Sequence, residues 1–188
     1  LKTAIVTNGL ISPLAIKKLS KYLDGVVVNI KASLDKSFYS NFYSFPNVKK
    51  ILSTLKQIVK SRIHLEITNV IIPQVGDNLE EVRNFCQWIS SQLGSHIPLH
   101  FIRFFPDETF PELPMTPLET LERCIEIGRR TGLRYVYIGE VPNHPDEDTY
   151  CFNCRELLID REYLTVRKNV ITKGRCPYCG IKIDIRMD

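Results

Sequence analysis

Four cysteines near the carboxyl end of the chain are arranged as two CxxC pairs. Cys151 and Cys154 lie in YCFNCRELLID, and Cys176 and Cys179 lie in RCPYCGIKI after a gap of 21 residues. Each pair places two sulfurs on one tight turn, and two such turns complete a tetrahedron around one ion. Four thiolates leave no open coordination position. The spacing therefore predicts a structural zinc site, and iron is the alternative metal for the same four-sulfur geometry.

A thioredoxin-like redox pair is the alternative interpretation of either CxxC alone. Neither pair lies between a strand and a helix of a βαβ unit, where such redox pairs occur. The surrounding segment also holds too few apolar residues for a core of its own, whereas a structural zinc ion can contribute about 10 kcal/mol or more to folding. We therefore expect the metal to organise this segment. Cys86 and Cys124 lie on apolar helix stripes and are expected in the core.

Polar residues gather toward the ends of four successive predicted strands. Strand ends of this kind form the ligand-binding rim of parallel α/β folds. Each residue alone is also explained as an ordinary strand-end side chain that satisfies loop backbone, and the lysine as a solvated cation, but their recurrence on four strands favours a site. The residues are Thr7, Asn8, Asn29, Lys31, Thr68, Asn69 and Arg103.

The elements that must position these side chains alternate between strands and helices. Apolar, β-branched runs predict strands over 3–9, 25–31, 64–73, 99–106 and 134–141. Helical patterns between the runs suit strand–helix–strand units in parallel. Five strands cannot close an eight-stranded barrel. We therefore predict an α/β fold, a partial (β/α) barrel fragment with parallel strands and exposed sheet edges.

Capping residues predict where several helices begin and end. Ser12 with Pro13 suits the start of a first helix, and Thr116 with Glu119 suits a capping box. Gly132 suits a left-handed residue at a helix end. A further helix is predicted from about residue 79, with an apolar stripe formed by Leu79, Val82, Cys86, Ile89 and Leu93.

The composition changes after Val141 to PNHPDEDTY, which is rich in proline and acidic residues. This stretch is typical of a linker or a loop that leads to a second unit. We expect a barrel-like domain over 1–143 and a small zinc-ribbon-like metal domain over 144–188. Within the second unit, ELLIDREYLTVRKNVI suits a β-hairpin.

Composition restricts the class of protein. The 188 residues are 44% hydrophobic and 24% charged, which is typical of a soluble globular protein. The sequence lacks the run of about 18 apolar residues of a membrane span and the pattern of a secretory signal, so a cytoplasmic location is expected. A scattered net charge of +4 gives weak support for a polyanion partner. Because KTAIVTNG follows Leu1 at once, we expect a piece of a larger protein.

Several motifs, in order along the chain, resemble a known family. They are TAIVTNGLIS, VVVNIKASLDKSFY, HLEITNVIIPQVGDN, IPLHFIRFFPDE, MTPLETLERCIEIGRRTGLRYVYIGEVPNH, TYCFNC and CPYCG. Together they resemble the radical SAM enzymes close to pyruvate formate-lyase activating enzyme, in the branch called the AmmeMemoRadiSam system radical SAM protein.

The resemblance implies a partial (β/α) barrel that binds a [4Fe-4S] cluster and S-adenosylmethionine, and that cleaves the latter reductively to a 5'-deoxyadenosyl radical. By motif match, the cofactor or substrate face would be lined by Thr7, Asn8, Lys31, Thr68, Asn69 and Arg103. Lys31 and Arg103 would pair with a carboxylate.

The sequence departs from the family pattern at several positions. It lacks the CxxxCxxC cluster loop and the GGE-type motif, Asn29 replaces an acid, and Phe105 replaces a histidine, while Asp77 of the usual turn is kept. The resemblance therefore implies the C-terminal part of such an enzyme, inactive alone, whose iron–sulfur cluster and S-adenosylmethionine are expected only in the full-length family member. The expected partner is the missing N-terminal barrel half, or another protein at the exposed sheet edge.

Two other classes of function compete with this interpretation. A zinc-ribbon module that contacts protein or nucleic acid is the main alternative, although acidic residues interrupt the basic ones around the cysteines. A hydrolytic or lyase half-barrel has no GxSxG, HExxH or P-loop to support it. The histidines show no metal-ligand spacing, and packing explains His64, His96 and His100. Glu66 either faces the barrel interior and holds a basic partner or lies exposed on an edge.

Overall fold

Five strands and five helices alternate up to Gly139 in the computed structural model, which describes residues 1–44, 47–162 and 165–185. The strands are β1 (Ala4–Thr7), β2 (Gly25–Lys31), β3 (His64–Ile71), β4 (Leu99–Arg103) and β5 (Val136–Gly139). The helices are α1 (Pro13–Leu19), α2 (Lys36–Tyr43), α3 (Lys49–Lys60), α4 (Leu79–Gln92) and α5 (Leu118–Arg130).

The strands pair in parallel and in sequence order, β1-β2-β3-β4-β5. Crossovers between parallel strands are almost always right-handed. When each new strand joins the same edge, right-handed crossovers place every helix on the same face of the sheet, which is the winding of a (β/α) barrel. The predicted fold class, a partial barrel with parallel strands, is confirmed.

The two faces of this sheet differ in burial at alternating residues. On β2 and β3, Val28, Ile30 and Ile67 are fully buried under the helices, whereas Asn29 and Glu66 between them are half-buried. This period of two follows from the strand pleat. We call the face of the sheet opposite the helices the open face. Besides residues 29 and 66, it includes Lys31, Thr68, His100 and Tyr137.

A three-stranded antiparallel sheet forms the second unit, which we call the ribbon. Its strands are β6 (Thr149–Tyr150), β7 (Leu157–Glu162) and β8 (Thr165–Asn169), in the order β6-β7-β8. The pairing of β7 with β8 confirms the predicted hairpin. A short 3-10 helix (Pro145–Glu147) leads into β6. The boundary between residues 143 and 144 stays a prediction.

The ribbon packs against the amino-terminal part of β5. The hydroxyls of Tyr137 and Thr149 lie 2.9 Å apart, and Arg134 donates to Asp184 at 2.9 Å. The Arg134 guanidinium also lies 4.4 Å from the ring centroid of Phe152. Tyr135 belongs to the buried cluster of the ribbon, which otherwise holds Cys151, Leu158, Ile159, Ile171, Cys176 and Ile183.

Two of the three helix ends predicted from capping residues are confirmed. Ser12 Oγ accepts from the amide of Ala15 at 3.2 Å, and Pro13 occupies the first helical position. Gly132 has a φ of +89° just after α5, as the left-handed cap predicts. The apolar stripe of α4 is also confirmed, with Val82, Cys86 and Ile89 buried. Among the described residues, no helix is long and apolar enough to cross a membrane.

The predicted capping box at Thr116 is wrong. Pro117 is the N-cap of α5, and no side-chain hydrogen bond caps the helix. The buried Thr116 hydroxyl instead donates to the carbonyl of Ile71 at 2.7 Å and accepts from the amide of Phe104 at 2.8 Å. Buried backbone groups need such partners. The Thr116 side chain supplies a hydrogen-bond partner at the end of β3 and another just after β4.

Replacing Thr116 with valine tests this connection. Thr116→Val keeps the shape of the side chain but leaves the Phe104 amide and the Ile71 carbonyl without their buried partner. We expect the free energy of unfolding in urea to fall by on the order of 2–3 kcal/mol. Thr116→Ser keeps the hydroxyl and is the matched control. Equal losses in the two variants would show that the hydroxyl is not responsible.

Candidate functional site

The four cysteines of the ribbon converge on one point. Cys151 Sγ lies 3.7 Å from Cys179 Sγ, Cys154 Sγ lies 3.7 Å from Cys176 Sγ, and all four sulfurs lie within 4.8 Å of one another. Zinc–sulfur bonds of about 2.3 Å in a tetrahedron separate the sulfurs by about 3.8 Å. The arrangement therefore fits one tetrahedral metal ion held by all four residues. In the part of the chain that the structure describes, it is the one cluster of histidine, cysteine or acidic side chains with the geometry of a metal site.

The two CxxC turns have the same backbone structure. The Arg155 amide donates to the Cys151 carbonyl and the Gly180 amide to the Cys176 carbonyl, both at 2.9 Å. Arg155 and Gly180 occupy equivalent positions with φ of +65° and +73°, so each turn needs a left-handed residue. Glycine, as at Gly180, adopts this conformation without strain.

Hydrogen bonds and the neighbouring sulfurs change the acidity of these thiols. The Ile181 amide and the Asn153 side chain lower the pKa of Cys179 to about 6. The pKa of Cys154 rises to about 12: the Glu156 amide lowers it, but desolvation and the three neighbouring thiols outweigh that bond. Four ionised sulfurs at this distance repel one another unless a cation lies between them.

Part of the predicted rim surrounds a small cavity of about 180 Å³. Asn8, Asn29 and Lys31 reach it from the carboxyl ends of β1 and β2, and Tyr39 and Tyr43 of α2 close the other side. Lys31 Nζ lies 3.4 Å from Asn29 Oδ1 and 5.9 Å from the ring centroid of Tyr43. The cavity thus combines one cation with two amides.

Lys31 is half-buried, which changes its acidity. Burial lowers the pKa of its ammonium group, and the attraction of Asp107 partly opposes this effect. A cation that has lost part of its hydration interacts more strongly with an anion than a solvated surface lysine does. Lys31 is therefore suited to hold a carboxylate or a phosphate.

The two predicted threonines have different surroundings. Thr7 Oγ1 accepts from the amide of Gly9 at 3.2 Å, and the register pairs Thr7 with buried Val28, so it lies on the helix-covered face. Thr68 lies between Asn29 and His100 on the open face. Its Oγ1 is fully enclosed and has no hydrogen-bond partner among the described residues. A buried hydroxyl without a partner is costly and is a candidate ligand contact.

Asn69 differs from expectation because it lies on the helix-covered face. Its Oδ1 accepts from the Ser33 amide at 2.9 Å, and its Nδ2 donates to the Ser33 hydroxyl at 2.8 Å. The turn that it holds, Ala32–Leu34, has three successive non-glycine residues with φ between +48° and +61°. Each of these residues is strained, so the surrounding contacts must hold the turn. Asn69 thereby fixes the segment that follows Lys31.

Arg103 is also committed to the backbone. Its Nε donates to the carbonyl of Thr116 at 2.9 Å, next to the hydroxyl that joins β3 to β4. Asn8 Oδ1 accepts from the amide of Leu10 at 3.0 Å, and Asn8 also lines the small cavity. The structure thus brings Asn8 and Lys31 together at the small cavity, with Thr68 paired to Asn29 in the neighbouring strand. Thr7, Asn69 and Arg103 instead hydrogen-bond to the loops around this cavity.

The sequence did not predict a second polar cluster on the open face. Glu66 accepts from His64 at 3.0 Å through Oε1 and from His100 at 2.9 Å through Oε2. These two hydrogen bonds hold the pKa of Glu66 well below its usual range. The His100 ring stacks on Tyr137 with centroids 4.9 Å apart. Glu66 therefore faces the barrel interior with basic partners, and His64 and His100 hydrogen-bond to it in addition to packing.

No protein-family model matches the chain. The uncharacterized protein MJ0808 of Methanocaldococcus jannaschii is 39% identical over 184 residues, which cover 96% of this chain and 54% of that protein. The chain therefore spans about half the length of this relative.

Two solved structures share the fold. A domain of pyruvate-formate lyase-activating enzyme from Bacteroides vulgatus matches with a TM-score of 0.62 and 18% identity, over 74% of this chain and 81% of that chain. A radical SAM methyltransferase from Sphaerobacter thermophilus matches with a TM-score of 0.59 and 14% identity, over 82% of this chain and 43% of that chain. At these identities the likeness shows the fold.

The four-sulfur site can be tested by removing one ligand. We expect Cys176→Ser to reduce tightly held metal from about one equivalent to a small fraction, because three thiolates bind a structural ion far less well than four. Metal analysis of the purified protein measures this loss, and limited proteolysis of the ribbon should show it unfolding. Cys124→Ala, which removes a buried thiol of α5, should keep the full equivalent. Unchanged metal content in Cys176→Ser would disprove the site.

The charge of Glu66 predicts a pH-dependent contribution to stability. Because its pKa is lowered in the folded state, the carboxylate stabilises the fold above the ordinary value of 4.5, and this contribution is lost as the pH falls below it. Glu66→Gln should lower the free energy of unfolding at pH 7 by on the order of 1 kcal/mol, since the side chain is about a third exposed. The difference from the wild type should shrink in urea titrations below pH 4.5. Glu126→Gln, an exposed control on α5, should show no such trend.

Proposed function

We propose that this chain is the C-terminal part of a radical SAM enzyme similar to pyruvate formate-lyase activating enzyme, of the AmmeMemoRadiSam branch. The observation that carries the proposal is the polar rim on a sheet whose fold is that of such an activating-enzyme domain. Asn8 and Lys31 lie at the carboxyl ends of β1 and β2, where such folds bind ligands, and Thr68 lies three residues before the end of the adjacent β3.

The rim residues fit part of S-adenosylmethionine. Lys31 would pair with its carboxylate, and the Asn8 amide would hydrogen-bond its polar groups, while Thr68, whose hydroxyl is enclosed, would lie behind Asn29. Thr7, Asn69 and Arg103 would act through the loops that they hold. When bound, S-adenosylmethionine supplies the radical chemistry, and these residues orient it and exclude water.

The residues of this chain do not fit an iron–sulfur cluster at the rim. A cubane needs thiolate ligands from the protein. Four of the six cysteines form the ribbon site, and Cys86 of α4 and Cys124 of α5 are buried in the core, where burial raises the pKa of each thiol to about 12. We therefore propose that the cluster ligands belong to a segment upstream and that this chain alone is inactive.

The edge of β1 is the proposed place for that upstream segment. Within residues 1–44, 47–162 and 165–185, β1 pairs with β2 alone, and Val6 on the open face is 72% exposed. A sheet edge with free backbone groups accepts a further strand readily. The relative from Methanocaldococcus jannaschii, nearly twice as long as the match, has room for such strands. A separate protein at this edge is the alternative partner.

The ribbon is proposed to hold a structural zinc ion as part of the barrel unit. It contacts β5 and the residues before it through Tyr137, Tyr135 and Arg134, and one buried cluster includes residues of both parts. A module that recruits protein or nucleic acid would need a free ribbon surface of matching chemistry. The shared packing therefore favours a structural role over the alternative of an independent binding module.

Anaerobic reconstitution with iron and sulfide tests the proposal. We expect the 188-residue chain to build no [4Fe-4S] cluster, and a chain extended upstream to the length of the relative to build one, as measured by iron and sulfide content and by electron paramagnetic resonance after reduction. A cluster in the short chain, or none in the extended chain, would contradict the proposal.

Binding of S-adenosylmethionine to the extended chain tests the rim. Lys31→Ala removes the half-buried cation, so we expect affinity to fall about 10- to 100-fold, equivalent to about 1.4–2.8 kcal/mol. Equilibrium dialysis measures the affinity. Lys36→Ala removes an exposed lysine five residues further on and should bind as the wild type does. Equal affinity in both variants would remove Lys31 from the site.

A further inference from the structure

A second, larger cavity lies between the open face and the ribbon. Its volume is about 690 Å³, within the range of small-molecule sites. Gly25 and His64, at the amino-terminal ends of β2 and β3, line it together with Ile102 and Gly139, near the carboxyl ends of β4 and β5, so it runs across the open face and is separate from the cavity at Lys31. Glu147 and Arg161 line it from the side of the ribbon.

The walls of this cavity are mostly apolar. Pro98 and Tyr137 contribute from the sheet, and several isoleucines enclose the remainder. Apolar walls with a few fixed polar groups are typical of sites for organic ligands. The isoleucines are Ile102, Ile138, Ile159, Ile171, Ile183 and Ile185.

Acidic groups outnumber basic ones along the same walls. Five carboxylates line the cavity, against the ammonium of Lys2 and the guanidinium of Arg161. Three of the carboxylates have partners. Asp24 pairs with Lys2, Asp184 pairs with Arg134, and Glu66 accepts from its two histidines. The five are Asp24, Glu66, Glu140, Glu147 and Asp184.

Glu147 is the unusual member of this set. The residue is 9% exposed, and its Oε2 is enclosed with no hydrogen-bond partner among the described residues. Arg161 is nearby, but its Nη1 donates to the backbone carbonyl of Glu147 at 3.1 Å and to Thr149 Oγ1 at 2.8 Å, and not to the carboxylate. Burying a carboxylate without a partner is costly.

We propose that this cavity binds an organic cation, with an ammonium group paired to Glu147 and an apolar body against the isoleucines. The cation supplies the partner that the buried carboxylate lacks and offsets the acidic excess of the walls. This cavity shares no lining residue with the cavity at Lys31, and the cation site at Glu147 is independent of the proposed radical SAM function.

Three probes of the same shape and different charge test the proposal on the purified protein. They are 3-phenylpropylammonium, 3-phenylpropanol and 3-phenylpropionate, titrated by isothermal calorimetry at pH 7. We expect the ammonium to bind at least tenfold more tightly than the alcohol, and the carboxylate to bind least. Equal binding of all three, no binding of the ammonium, or preference for the carboxylate through Arg161 would overturn the proposal.

Variants of Glu147 locate the binding. We expect Glu147→Gln to weaken ammonium binding at least tenfold and to bring it to the level of the alcohol, while Glu147→Asp keeps a charge and part of the preference. Glu126→Gln, on the exposed surface of α5, should bind as the wild type does. Full ammonium affinity in Glu147→Gln would place the ligand elsewhere and overturn the assignment.

Thermal unfolding without any probe provides a second measurement. Glu147→Gln replaces a buried charge that lacks a partner, so we expect the midpoint of the unliganded variant to rise above that of the wild type. We also expect the ammonium probe to raise the midpoint of the wild type and not of Glu147→Gln. A lower midpoint in Glu147→Gln would show that the carboxylate has a partner in the protein itself and would count against the site.

Discussion

Winding every crossover of a parallel sheet in one direction covers one face with helices and leaves the other without them. In this protein the strand order β1-β2-β3-β4-β5 has that consequence. Polar side chains are tolerated at alternate positions because they face away from the helices that pack on the other side of the sheet. Thr68, Glu66 and His100 all lie there. Both cavities are lined by residues of this face, Asn29 and Lys31 in the smaller one and Glu66, His100 and Tyr137 in the larger one.

The ribbon covers the part of the open face next to β5, and its own stability depends on the four sulfurs. Its buried cluster is small and includes Tyr135, which belongs to the segment that enters β5. A unit of this size gains little from apolar burial alone, so a metal ion held by the four cysteines would be the main source of its stability. The ribbon forms one wall of the larger cavity, so this wall also depends on the geometry of the four cysteines.

Several polar residues near the rim stabilise loops. Asn69 holds a turn with three left-handed residues directly after Lys31, and Thr116 joins the ends of β3 and β4. Both were predicted as something else, a ligand contact and a helix cap. Their side chains are buried where backbone groups need partners, and such groups are costly to leave unpaired. These contacts hold the rim on which Lys31 and Asn8 lie.

The sequence by itself determined the strands, their parallel arrangement and the two CxxC turns, because apolar period, capping residues and cysteine spacing are local properties. It also placed Glu66 and His64 on one face, two residues apart. Tertiary structure alone decided that His100 joins them, since the register between β3 and β4 depends on how the whole sheet packs. It likewise decided that Glu147 lies enclosed beside the sheet, because that contact forms only when the ribbon folds back onto β5.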